Sequence, residues 1–354
     1  MTVGITGDHG GSRGLFPRSA TLTAMDNFVA WMERHQIALY LGALLVGGAV
    51  GTALPHADRG FASAVNPVLA LLLYATFLGI PLRGALATLR DKRFLVTVAV
   101  VNFVLAPLVT WLMTRPVAGD DVLLVGALFV LLTPCIDYVI VFTGLAGGAS
   151  DRLLAAAPLL MLAQMVLLPV FLWVFLGEDV VAEFDAAPFI EAFVVLILLP
   201  LCAAGLTQTV PGRTGRRIRA TVGGAMVPLM MLTLAVVVAS QIAEVNRQWS
   251  TLIRVVPVYV AFAVVMTAVG WVAGRGTRTD VPGRRAVVFT GVTRNSLVVL
   301  PLVLALPAGY ALAPSVVVTQ TLVELVVMVI LVRVVPLLLP VSAPVRGAGR
   351  PGRS

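Results

Sequence analysis

Residues 128–148 read LFVLLTPCIDYVIVFTGLAGG. The run is apolar and long enough to cross hydrocarbon, which takes about 20 helical residues. Yet Thr133, Pro134, Cys135 and Asp137 interrupt it at mid-depth. Proline removes a backbone donor, and irregular backbone at that depth is tolerated only where protein covers it or a cavity adjoins it. A second stretch, residues 284–307, reads RRAVVFTGVTRNSLVVLPLVLALP and places Gly291, Thr293, Arg294, Asn295 and Ser296 at comparable depth. Two such breaks point to a membrane protein whose helices are interrupted for a purpose other than packing.

The rest of the chain agrees. Of 354 residues, 59% are hydrophobic and only 12% charged, against about 25% charge in soluble domains. The isoelectric point of 10.4 is not a nucleic-acid signature, because the basic residues lie between apolar runs rather than on one patch. Such a distribution suits loops facing anionic lipid. The two cysteines, Cys135 and Cys202, both fall inside apolar runs and are expected to be buried; they make no disulfide framework. His9, His35 and His56 are scattered, so neither a metal site nor a cofactor is expected. The first apolar run begins near Ile37, after a Gly-rich polar stretch, so a cleavable signal peptide is not expected.

Ten spans are predicted, near 37–54, 63–82, 94–114, 122–148, 153–176, 188–210, 222–243, 252–273, 284–307 and 313–339. Residues 26–35, DNFVAWMERH, read as a short interfacial helix before the first. With the N-terminus in the cytoplasm, 19 of the 25 basic residues face inside and four face outside, with Arg294 and Arg333 within spans. That asymmetry predicts a multi-pass cell-membrane protein with both termini cytoplasmic. Five spans per half, an odd number, put residues 30–176 and 188–339 in opposite orientations. The expected fold is therefore all-α, an inverted 5+5 repeat, with 177–187 as external linker, 1–29 as a flexible cytoplasmic tail and 340–354 as a second tail. Its broken fourth and ninth helices are expected to cross near the midplane, where inverted repeats hold their solutes. The expected partners are the lipid bilayer and a small inorganic or organic solute; nothing in the sequence sets the oligomeric state.

Four segments carry a resemblance. CIDYVIVFTGLA from Cys135 resembles the fourth helix of arsenite efflux permeases of the arsenical-resistance-3 type, which have a Cys-Ile pair, an apolar run, an aromatic and Leu-Ala. LVELVVMVILV at 322–332 resembles their last helix, Phe289-Thr290 followed by small residues and Asn295 resembles their ninth, and Gln164 in MLAQMVLLPV sits where their fifth carries glutamine. That family lies within the superfamily of bile acid:sodium symporters, whose ninth helix carries a sodium-binding Glu and, four residues on, a Gln. The matching positions here are Thr290 and Arg294, which implies loss of sodium coupling at that place. The permeases' two asparagines in the ninth helix stand here as Arg294-Asn295, and their Phe-Glu as Ser296-Leu297. The proton-coupling carboxylate is thus absent at Leu297, and Asp137 is placed to compensate.

Each candidate residue has two readings. Cys135 is a soft ligand for trivalent arsenic, or a small hydrophobe; Cys202, without polar neighbours, reads as packing. Asp137 and Arg294 serve transport, or form an ion pair clamping the crossing. Glu324 binds or couples, or is structural. Asn295 and Ser296 bind solute hydroxyls, or satisfy the broken backbone around Thr133, Pro134, Gly291 and Thr293. Three functions follow. The first is export of arsenite or a similar trivalent metalloid hydroxide on the proton gradient. The second is transport of a small organic anion with Arg294 as partner. The third, an enzyme or sensor, is not expected, because no nucleophile–base set or nucleotide loop occurs.

Overall fold

The computed structural model describes residues 20–54, 58–79, 91–182, 184 and 186–340. Most of both expected tails, residues 80–82 of the second span, and Glu183 and Asp185 of the linker lie outside the described residues. Among the described residues helices account for almost all regular structure, and the one β-bridge joins Pro134 to Arg294.

Among the described residues seven helices are long and apolar enough to cross a membrane. They are α1 (Ala20–Ala53), α2 (Asp58–Gly79), α3 (Lys92–Met113), α6 (Ser150–Leu176), α10 (Met226–Arg247), α11 (Trp249–Gly276) and α14 (Ala313–Leu338). The fourth and ninth expected spans are each two short helices: α4 (Asp121–Leu131) with α5 (Tyr138–Leu145), and α12 (Val281–Val292) with α13 (Ser296–Leu304). No half is long enough to span hydrocarbon alone. The sixth expected span is α8, residues 186–209, and α7 (Glu178–Ala182) is one short turn of the linker.

Three expectations need correction. The interfacial helix at 26–35 is not separate, because α1 runs unbroken through it; exposed Phe28 and Trp31 stack there at 6.2 Å. Residues 222–224 end a distinct helix, α9 (Gly212–Gly224), and the seventh span starts only at Met226. Four arginines lie on α9, which makes it too polar to form part of the seventh span. Gly291 belongs to α12 rather than to the break; a Cβ on it would meet Val101 Cγ1 at 2.9 Å, so it permits close helix packing.

Two π turns have a common cause. Val101–Leu105 in α3 precedes Pro107, and Val194–Leu198 in α8 precedes Pro200. A proline cannot donate to the preceding turn, and the helix widens to accommodate it.

The helices sort into two packed groups. One contains α1, α2, α8, α9 and α10; the other contains α3–α6 and α11–α14. Within the first, Gly47 and Gly51 lie against Ala235 and Ala239 of α10, where added Cβ atoms would sit 2.4 and 2.6 Å from those carbonyl oxygens. Small residues four apart on both helices let the backbones approach, as lipid-embedded interfaces require. The groups meet where α10 touches α14 and α2 touches α13, leaving a cleft between α1, α2, α5 and α10. Arg285, counted among the basic residues facing inside at the start of the ninth expected span, is buried. Its guanidinium donates to Ala146 O at 2.7 Å and to Leu339 O at 2.8 Å, closing the C-terminal ends of α5 and α14.

Candidate functional site

The two breaks cross and satisfy one another. Cys135 N donates to Thr293 O at 3.1 Å, and Asn295 N donates to Thr133 O at 2.9 Å, flanking the Pro134–Arg294 bridge. The carbonyls of Thr133 and Thr293 are therefore each taken by the facing break. Thr133 Oγ1 returns to Phe129 O at 3.0 Å, and Thr293 Oγ1 to Phe289 O. Asn295 caps α13, its Oδ1 accepting from Val298 N at 3.3 Å, and Ser296 begins that helix, buried.

Arg294 is fully buried. Its Nη2 donates to Asn102 Oδ1 and Thr290 O, both at 2.9 Å, and also to Gly291 O. Its Nη1 donates to Leu131 O at 3.3 Å, and its Cζ lies 5.3 Å from the centroid of Phe262. Leu131, Thr290 and Gly291 are C-terminal residues of α4 and α12, so the cation sits at the negative ends of both half-helices. Asn102 is held in turn by Val98 O at 3.0 Å and Thr290 Oγ1 at 3.2 Å.

Glu324 lies on the other side of the bridge. Its Oε2 accepts from Arg294 N at 2.8 Å and from Gln320, and its Oε1 accepts from Tyr138 Oη at 2.7 Å. The Asp137–Arg294 ion pair is not formed. Asp137 precedes α5 and turns toward α2, where Thr76 Oγ1 donates to its Oδ1 at 3.4 Å, while the guanidinium points the opposite way along α12. Asp137 Oδ2, Asn295 Nδ2, Arg294 Nε and Gln320 Oε1 are buried without partners. Such a concentration around one crossing is uncommon in a packed interior and marks a place built for more than packing.

Asp137 lies at the inner end of the cleft, a cavity of about 510 Å³ that it shares with Glu33, Gln36, Tyr40 and Thr76. Among the described residues its lining holds two carboxylates and neither lysine nor arginine. Cys135 is buried in the crossing, two residues from Asp137, and outside the cavity wall. Cys202, expected to pack inside, is exposed on the outer face of α8. Gln164 is buried on α6 with both amide atoms unpartnered.

The sequence profile of the Sodium Bile acid symporter family matches residues 66–249, from α2 into α11 and across the first break. The chain belongs to the sodium bile acid symporter family. It is accordingly a membrane solute transporter. No curated protein matches the chain. The family's name implies sodium as a co-transported ion, and the crossing does not fit one: the oxygens gathered there already receive the Arg294 guanidinium. Among the described residues no cluster of His, Cys, Asp or Glu could hold a metal.

Four residues of the site escaped the sequence. Asn102 was a lone amide in an apolar span; Gln320 lies one turn before Glu324 on the same face, the one spacing that pointed to it. Tyr138 entered only inside the quoted stretch CIDYVIVFTGLA, with no role of its own. Thr76 carried no signal, since threonines are ordinary in membrane helices.

Proposed function

We propose that the protein is a secondary transporter exporting arsenite, or a similar trivalent metalloid hydroxide, on the proton gradient. It does so through ten crossings in two inverted halves, 30–176 and 188–339, with both termini in the cytoplasm. Seven long apolar helices, the two broken pairs and α8 support a count of ten. The ion pairs agree with the alternation: Arg152 with Asp91 and Asp280, and Arg254 with Asp120, each join residues assigned to one side. The cleft adjoins the N-terminal half of α1 and the start of α10, so this conformation opens inward.

The observation that carries the solute class is the position of Cys135, two residues from Asp137 in a cleft whose charged lining groups, among the described residues, are carboxylates alone. A neutral hydroxide enters such a cleft without repulsion, whereas an organic anion meets Asp137 and Glu33. At the inner end the Cys135 thiol condenses with one As–OH, forming an As–S bond and releasing water; hydrolysis reverses the step on the far side. Rocking of the two helix groups uncovers Cys135, and Asp137 is the ionisable group placed to carry the proton. The organic-anion reading has less support, because the Arg294 guanidinium is buried and already engaged by four acceptors.

Expression in an arsenite-sensitive host tests the reading. Wild type and Cys202→Ser should confer resistance and Cys135→Ser should not, at equal membrane abundance. Resistance retained by Cys135→Ser, or absent from correctly inserted wild type, would overturn it.

A further inference from the structure

Arg294 is the largest fully buried side chain, and it is charged. Its surroundings are those of a cation site. Three of the four acceptors around its terminal nitrogens are main-chain carbonyls, Leu131 O, Thr290 O and Gly291 O; the fourth is Asn102 Oδ1. The carbonyls come from the C-terminal ends of two interrupted helices, α4 and α12. Half-helix C-termini and unwound carbonyls are what membrane transporters present to sodium, since both concentrate negative potential without a formal charge. Phe262 adds a ring face toward the guanidinium. The Asn102 side chain cannot turn its oxygen away, because its amide group is engaged by Val98 O and Thr290 Oγ1.

We propose that Arg294 is a tethered cation occupying the oxygen cradle at the crossing, so that this crossing neither binds nor exchanges sodium and its charge stays fixed throughout the transport cycle. A mobile ion would need these oxygens directly, and the planar guanidinium distributes its donors among all four. The inference concerns the ion rather than the solute and goes beyond the proposed metalloid export, which can fail while it stands.

The test is thermal unfolding of the purified full-length protein at constant ionic strength, with choline replaced stepwise by sodium, potassium or guanidinium. Wild type should melt at one temperature in choline, potassium and sodium. Arg294→Ala opens the cradle, and its midpoint should lie below wild type and rise by about 2 °C or more with sodium or guanidinium. Arg294→Lys keeps a tethered charge and should remain indifferent to sodium. If Arg294→Ala cannot be purified folded, wild type and Arg294→Lys decide: indifference of both supports the proposal. A sodium-selective rise in wild type overturns it, as does a folded Arg294→Ala that responds to none of the cations.

Discussion

Replacing Glu324 tests how the crossing is held. Its carboxylate receives three donors, Tyr138 Oη, Arg294 N and Gln320, and is only 4% exposed. Glu324→Ala leaves all three without an acceptor in a place water reaches poorly. Hydrogen bonds within membrane proteins are worth about 0.6–1.7 kcal/mol each, so losing three costs about 2–5 kcal/mol. For a chain of this size that lowers the unfolding midpoint by about 3–7 °C. Glu324→Gln is the discriminating variant. Its oxygen can stand where Oε2 accepts from Arg294 N and Gln320, and its amide can donate to the Tyr138 hydroxyl, which then accepts. The bonds survive and only the charge is lost, so the drop should be less than half that of Glu324→Ala. Tyr138→Phe combined with Glu324→Ala should be less damaging than the two separate losses added, since both remove one bond. Differential scanning fluorimetry on detergent-solubilised protein reads all four. A midpoint for Glu324→Ala within 1 °C of wild type would refute the hub; equal losses for Ala and Gln would show that charge, not bonding, matters.

Further outcomes follow from other parts of the fold. Gly51→Leu should separate α1 from α10 and sharply reduce folded protein on size-exclusion chromatography, because Ala239 O stands 2.6 Å from the new Cβ; Gly42→Leu, with nothing within 4 Å, should behave as wild type. In a Cys202→Ser background, Arg115→Cys should react with an impermeant maleimide on intact cells and Arg217→Cys only after permeabilisation; the reverse pattern would invert the topology. Asp137→Asn keeps the oxygen that Thr76 reaches but removes the charge from the cleft, so the protein should melt within about 1 kcal/mol of wild type while losing gradient-driven transport.

Seven of the expected spans coincide with helices long and apolar enough to cross, because hydrocarbon demands the same thing of every crossing helix, an apolar run of fixed length. Both breaks were legible for the same reason, since polar groups at that depth are rare. What the sequence hid was direction. Asp137 and Arg294 were rightly placed in facing breaks, but their side chains leave the crossing on opposite sides, which depends on the rotation of each half-helix and not on its depth. Cys202 was misplaced because lipid and protein interior are equally apolar, so hydrophobicity in a membrane span does not report burial. Arg285 shows the same ambiguity: an arginine at a span end reads alike whether it reaches water or closes two buried helix ends.

The most direct measurement is arsenite accumulation in everted membrane vesicles, with an imposed proton gradient and after its collapse by an uncoupler. Wild type should accumulate arsenite only with the gradient, equally in sodium and choline buffers, and Cys135→Ser should fall to the level of vesicles lacking the protein. Accumulation unchanged by Cys135→Ser, or dependent on sodium, would contradict the account.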